Sequence, residues 1–256
     1  MNVVDCPLCG TPVKILYRED GSADHYEPLE LDELNANAPK ISPALEDWLR
    51  HKRSGKKTVA IVGSAYTTGG WAPYGEIDVW ASNEMHGKCW MKEEYATAWF
   101  QLHPKWSFTK EHRFDHWGWL QKEHAFPIYM QRNYDDVPNC VPYPLREIQD
   151  AQIGEFWRGE SKMTKLFTST FSYQVALAKH MGYERIEIYG IELSLGAEYE
   201  YQREAMAYWI GNCNGAGIEI WIPEACALLF QPLYAYEEVR KGDSGEILLP
   251  PEGWIE

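Results

Sequence analysis

Four positions in this chain pair a reactive or ligand-holding residue type with a location that a fold could bring to one place: the loop Gly63-Ser64-Ala65-Tyr66-Thr67-Thr68-Gly69-Gly70, then Asn83, His103 and Glu192. Small residues and hydroxyls in the loop would let backbone N–H groups approach a phosphate or a ribose. The run is neither G-x-G-x-x-G nor G-x-x-x-x-G-K-[ST], so the dehydrogenase and P-loop fingerprints are both missing, and a plain tight turn would use the same glycines. Asn83 carries a donor and an acceptor on one amide, the pairing that holds a base edge or a ribose hydroxyl; an Asx turn or a helix cap is the alternative. His103 is of the one residue type whose unperturbed pKa lies near neutrality and could act as general acid or base, or be a buried structural histidine. Glu192 would present a carboxylate able to accept from hydroxyls or to take a proton. In Tyr199-Glu200-Tyr201-Gln202-Arg203, the arginine can neutralise a phosphate bidentately and the tyrosines can stack on a base or donate to a leaving phosphate. A solvated helix start is the alternative there. His112 and His116, at i and i+4, would form a metal pair on a helix but lack an evident third ligand.

The elements that must position these residues are short apolar runs of strand length: Thr58 to Val62, Ile77 to Ala81, Ala98 to Leu102, Pro127 to Met130, Arg185 to Gly190 and Ile218 to Ile222. Gly63, Asn83, His103 and Glu192 each follow the end of such a run. Helical patterns over Leu145 to Trp157, Ser169 to Met181 and Tyr201 to Asn214 lie among the later strands, with Ser169 or Thr168 as N-cap and Gly182 as C-cap of the second. Strands alternating with helices imply crossover connections. The expected fold class is therefore α/β, a Rossmann-like mostly parallel sheet with helices on both faces. In such a sheet ligands sit beyond the carboxyl ends of the strands.

Ahead of this domain, which spans 58–232, residues 1–35 read as a small Cys-containing β unit, a zinc-ribbon-like or hairpin appendage. Cys6-Pro7-Leu8-Cys9 is a knuckle-type turn, and His25 is the nearest further candidate ligand, so half a zinc site is visible. Residues 36–57 read as a linker with a short helix opened by Ser42-Pro43, and 233–256 as an acidic tail.

Composition narrows the partners. Lys and Arg number 24 against 38 Asp and Glu, a net charge of -14, which disfavours broad attraction to nucleic acid. No run approaches the roughly 20 apolar residues that span a bilayer and no secretory leader is evident, which points to a cytoplasmic protein without a membrane partner. Six cysteines are too sparse for a disulfide scaffold, and no G-x-S-x-G elbow marks a hydrolase. Homo-oligomerisation is not legible.

The segment from Phe167-Thr168-Ser169-Thr170-Phe171 to Gly182-Tyr183-Glu184-Arg185-Ile186-Glu187-Ile188-Tyr189-Gly190-Ile191-Glu192 resembles a block of bacterial sialyltransferases and the related 6-hydroxymethylpterin diphosphokinase-like proteins. The run from Thr58 to about Leu229 also resembles a group of phage-encoded proteins of unassigned function, which would place the chain in a host cytoplasm. The first resemblance implies a nucleotide loop at Gly63, Ser64 and Ala65, Asn83 in the nucleotide pocket, Ser169 and Thr170 at a helix start that binds phosphate or carboxylate, and Glu192 as the acidic residue after Gly-Ile. Two departures stand out. The family loop is usually G-N-G-P-S, and the family's basic histidine between the last two strands is absent here, leaving His103 and Glu192 as candidates. The expected function is nucleotide- or nucleotide-sugar-dependent group transfer, of a sugar or a diphosphate, from a small-molecule donor to an unidentified acceptor, with Tyr199 or Arg203 assisting the leaving diphosphate. The alternative is a non-catalytic nucleotide-binding or protein-interaction accessory protein. Zinc is expected only if Cys6 and Cys9 find partners in His25 or a second chain.

Overall fold

The computed structural model describes residues 41–88, 90–109, 115–153, 156–162, 165–193, 197–226 and 228–229, without the side chains of 66 and 197–200, and the backbone of five terminal strands. Of these, β1 (Val3–Asp5), β2 (Pro12–Tyr17) and β3 (Ala23–Pro28) pair antiparallel in that order. Cys6, Cys9 and the side chain of His25 lie outside the described residues, and the zinc reading with them. Helix α1 (Pro43–Arg53) starts as its residues dictate: the Ser42 hydroxyl accepts from the Leu45 amide at 3.2 Å, and Pro43 occupies the first turn, where a missing N–H costs nothing.

The body is a seven-stranded sheet. β4 (Thr58–Val62), β5 (Asp78–Ser82), β6 (Ala98–Gln101), β7 (Ile128–Met130) and β8 (Cys140–Pro142) follow each other across it. A hairpin of β9 (Trp157–Arg158) and β10 (Ser161–Lys162) intervenes outside the sheet, and β11 (Arg185–Tyr189) and β12 (Glu219–Trp221) complete it in the order β12-β11-β4-β5-β6-β7-β8, every pairing parallel. Near the C-terminus β13 (Arg240–Lys241) and β14 (Ile247–Leu248) pair antiparallel. Central strands that are covered on both faces need apolar side chains on both, which is why β4 reads Val-Ala-Ile-Val without alternation.

Coverage of the two faces is unequal. One face carries Val59, Ile61, Trp80, Phe100, Ile186 and Ile188 under α5 (Leu145–Gln152), α6 (Thr170–His180) and α7 (Ala197–Gly215), through side chains such as Ile148, Val175 and Trp209. The other carries Ala60, Val62, Val79, Trp99 and Tyr189 under short elements, among them α3 (Lys105–Phe108) and α4 (His116–Leu120), whose large aromatic side chains Phe108 and Trp119 do the covering. Between β4 and β5 lies the single turn α2 (Tyr66–Gly69).

Two expectations are corrected. The helix expected to run to Trp157 stops at Gln152, and Trp157 instead begins the exposed β9–β10 hairpin, whose turn uses Gly159 at φ +60°. Strand β8 was not foreseen, because Cys140-Val141-Pro142 is short, half-exposed and contains a proline that only an edge strand tolerates.

Beneath the sheet's short-element face lies a buried ionic cluster. Glu187, fully buried on β11, accepts from Arg53 of α1 at 2.7 to 3.1 Å, from Arg185 at 2.7 Å and from the Tyr189 hydroxyl at 2.7 Å. Burial, with the Glu187 charge adding to it, raises the Tyr189 phenol well above its ordinary range, so it stays a donor. Removing the shared carboxylate takes the central buried partner from two guanidinium groups, leaving Arg185 with Glu219 at 2.8 Å and Arg53 with Glu76 at 3.7 Å, both more exposed. Glu187→Ala is expected to lower unfolding free energy by about 3–5 kcal/mol, read from urea denaturation.

Candidate functional site

Because the strands all run one way, their carboxyl ends line a single edge, and the strand order reverses between β4 and β11. The chain leaves β4 towards β8 and returns to β11 on the other side. A doubly wound sheet opens to ligands at such a reversal.

The loops that follow these two strands are in contact. The Gly63 amide donates to the Tyr189 carbonyl at 2.8 Å, the Ala65 amide to the Gly190 carbonyl at 2.9 Å, and the Gly190 amide to the Thr68 hydroxyl at 2.7 Å. A Cβ on Gly63 would lie 2.4 Å from the Gly190 carbonyl oxygen, and one on Gly190, whose φ is +60°, would lie 2.7 Å from the Ala65 carbonyl oxygen. Both glycines therefore serve close backbone approach. The amides of Gly63 and Ala65, expected to face a phosphate, donate into the neighbouring loop; Ser64 is exposed at the tip. Glu192, half-buried just past Gly190, accepts from the Thr67 hydroxyl, which brings the acid against the loop that follows β4.

Asn83 sits where β5 ends, at φ +52°, a left-handed conformation that asparagine tolerates better than most residues. Its carbonyl accepts from the Trp99 indole at 3.0 Å. Its side-chain oxygen is buried and has no hydrogen-bond partner among the described residues. A second such oxygen lies nearby in the fold: Gln174, fully buried on α6, donates to the Ala81 carbonyl at 3.2 Å, while its own side-chain oxygen has no partner among the described residues. Two acceptor oxygens thus flank the last residues of β5, each costing about 1–3 kcal/mol while it lacks a donor.

His103, beyond β6, is exposed. Along the edge it lies three strand spacings from Glu192, about 14 Å at about 4.8 Å per spacing, so the four expected residues line the edge rather than converge on a point. Ser169 is engaged in its own helix: its hydroxyl accepts from the Ser172 amide and the Ser172 hydroxyl accepts from the Ser169 amide, both at 3.3 Å, a capping box. Thr170, the first residue of α6, and Arg203 on α7 are half-buried, and the side chain of Tyr199 lies outside the described residues. The Thr168 hydroxyl donates to the Tyr201 carbonyl at 2.8 Å and ties the approach to α6 against α7.

Sequence reasoning missed a histidine pair. His86, in the turn that Asn83 starts, lies with Nε2 at 3.0 Å from His116 Nδ1, and His116 Nε2 lies 2.9 Å from the Gln101 side-chain oxygen at the end of β6. His116 is 1% exposed. His116 was noticed only as an i,i+4 partner of His112, which lies outside the described residues; the signal for His86 was its position three residues after Asn83. The His86 ring stacks on Trp119 at 4.5 Å and 5°. Burial lowers its pKa to about 4, with the charges of His124 and Lys122 adding to the effect and Asp115 opposing it. Among the described residues no group of three or more His, Cys, Asp or Glu could hold a metal ion, and no helix is long and apolar enough to cross a membrane.

The opposite edge, where strands begin, has hollows of about 420 and 570 Å³. Polar groups there are matched to one another, as in Lys56 with Glu219 and the Tyr183 hydroxyl with Asp78 at 2.6 Å. The buried atom without a partner there among the described residues, Arg185 Nη2, is a donor on a guanidinium already paired with Glu187 and Glu219, so that end presents no unpaired acceptor.

No protein-family model and no curated protein matches this chain. Among solved structures it is similar to the sialyltransferase CstII from Campylobacter jejuni in complex with cytidine-5'-monophosphate, with a TM-score of 0.40 and 15% identity over 65% of this chain and 79% of that one. It is also similar to CST-II with a trisaccharide acceptor and CMP, at TM-score 0.42 and 14% identity over 65% of this chain and 80% of that one. The C. jejuni enzyme with CMP-3FNeuAc aligns at TM-score 0.39 and 13% identity, covering 78% and 97%.

His86 also sets a pH dependence. The folded chain keeps it neutral down to about 4, whereas an unfolded histidine takes up a proton near 6.5, so its contribution to stability is present above pH 6.5 and is lost as pH falls towards 4. In thermal unfolding followed from pH 7 to 4, His86→Phe, which keeps an aromatic ring against Trp119, should lose less stability over that window than the parent chain.

Proposed function

We propose that the carboxyl-terminal edge of the sheet binds a nucleotide or nucleotide sugar and that the chain transfers a sugar or diphosphate group from it to an acceptor hydroxyl. The observation that carries this reading is the pair of buried acceptor oxygens on Asn83 and Gln174 beside β5. Nucleotides are rich in the donors these oxygens lack, namely ribose hydroxyls and the exocyclic amines of bases. Glu192, with Thr67 donating to it, stands ready to accept from a further hydroxyl of the bound ligand. Arg203 is the candidate for the charge on the departing phosphate. His103, exposed and farthest along the edge, is the less favoured proton acceptor.

A second reading, nucleotide binding without transfer, is favoured by one observation. The Gly63 and Ala65 amides and the Ser169 hydroxyl, three groups expected to meet phosphate, are all engaged with protein partners. This predicts recognition through base and ribose more than through a diphosphate.

Calorimetric titration with nucleoside monophosphates, diphosphates and nucleotide sugars tests the reading, followed by mass spectrometry for consumption of the bound donor. Asn83→Ala should weaken nucleotide binding about tenfold, or about 1.4 kcal/mol, and Glu192→Ala should act in the same direction. Binding without consumption selects the second reading, and failure of every nucleotide to bind removes both.

A further inference from the structure

The backbone around Glu192 is restrained from several sides, and one restraint comes from the loop after β12, to which no role has yet been given. Leaving β12, the chain turns so that the Cys226 amide donates to the Pro223 carbonyl at 2.9 Å, and Cys226, 4% exposed, is pressed against the loop that follows β11. Its thiol donates to the Ile191 carbonyl at 2.9 Å. Burial holds that thiol above its ordinary pKa, against backbone hydrogen bonds at Leu228 and Ile191 and with the nearby Glu192 charge adding to the rise, so the sulfur keeps its proton at neutral pH. The Ile191 carbonyl and the Glu192 amide belong to one planar peptide unit, and a donor on that oxygen therefore fixes the plane from which Glu192 extends.

On the other side of the acid, Leu193 has φ +48°, in the left-handed region that leucine rarely adopts. Its side chain, 6% exposed, belongs to the core under the long helices. A residue in such a conformation persists only where its surroundings over-determine it, and residues of this kind gather at ligand sites. Glu192 is thus held at its carboxylate by Thr67, at the peptide before it by Cys226 and at the residue after it by the core.

We propose that Cys226 is a positioning residue, which orients Glu192 so that its carboxylate accepts a hydroxyl of the bound nucleotide ligand. This rests on the nucleotide-binding reading above and extends the site to the end of β12. Cys226 acts through the Ile191–Glu192 peptide and does not touch the ligand. Without the thiol that peptide is free to turn, and the ordering of Glu192 is then lost from the affinity when the ligand binds. Serine at the same position keeps a donor for the Ile191 carbonyl; alanine does not.

Calorimetric titration with the four ribonucleoside 5'-monophosphates and a sugar conjugate of each, on the parent chain, Cys226→Ala, Cys226→Ser, Glu192→Ala and the Cys226→Ala/Glu192→Ala double variant, tests the proposal, with thermal unfolding to show that each variant is folded. Cys226→Ala should weaken binding about three- to tenfold, Cys226→Ser should recover most of that loss, and Cys226→Ala should add nothing in the Glu192→Ala background. Amide hydrogen exchange at Glu192 should quicken in Cys226→Ala and stay at the parent rate in Cys226→Ser. If the alanine variant does not fold, Cys226→Val fills the same space without a donor. Equal losses in both backgrounds would assign Cys226 to general packing and overturn the proposal, as would unchanged binding in a folded Cys226→Ala; either result leaves the nucleotide reading standing on Asn83. Failure of the parent chain to bind any of these nucleotides removes both.

Discussion

The backbones after β4 and β11 can touch because neither Gly63 nor Gly190 has a side chain. With a Cβ at either position the two loops would have to move apart, since the nearest carbonyl oxygens lie at 2.4 and 2.7 Å from where that carbon would be, closer than a carbon and a carbonyl oxygen can approach. Everything at the candidate site is registered against this contact. It places Thr67 against Glu192 and Thr68 against the Gly190 amide, and so fixes the acid at the reversal of strand order rather than leaving it on a free loop. The same contact uses up backbone donors, which is why a glycine-rich loop at the end of a first strand need not be a phosphate cradle.

Polar groups inside the domain are treated differently at the two ends of the sheet. In the lower half of β11 the charge of Glu187 is matched by two arginines and a phenol, and α1 is attached to the sheet by that match. A buried ion pair of this kind contributes less to net stability than its contacts suggest, because desolvation offsets the attraction, but it penalises any packing that separates the partners. At the other end, around the close of β5, buried oxygens on Asn83 and Gln174 have no donor among the described residues. Paired charges hold the first end together, with Arg185 Nη2 the one member of that cluster without a partner among the described residues, and unpaired acceptor oxygens leave the other edge suited to a ligand.

The histidine pair belongs to this second end. Its members come from two connections, one after β5 and one after β6, and the aromatic side chains that cover the thin face of the sheet hold both rings. Trp119 stacks on His86, and Trp99, at 4.6 Å from Trp119, bonds to Asn83. Large aromatics therefore do on this face what long helices do on the other, and they bring rigid ring contacts to the part of the edge where a ligand would sit.

Local pattern alone determined six of the seven sheet strands, their parallel sense, the cap of α1 at Ser42 and the span of α6, because β-branched apolar runs, Ser-Pro starts and the 3.6-residue repeat are properties of neighbouring residues. It also placed Gly63, Asn83, His103 and Glu192 at strand ends. Strand β8 and the β9–β10 hairpin escaped because their residues are exposed and lack a periodic apolar signature. Tertiary structure alone decided which polar groups face one another: that the Gly63 and Ala65 amides are spent on the Tyr189 and Gly190 carbonyls, that Ser169 caps its own helix, and that His86 pairs with His116 across 30 residues of sequence. Hydrogen-bond partners separated that far along the chain leave no mark on local composition or spacing, since their distance is set by strand order and by the packing of Trp99 and Trp119.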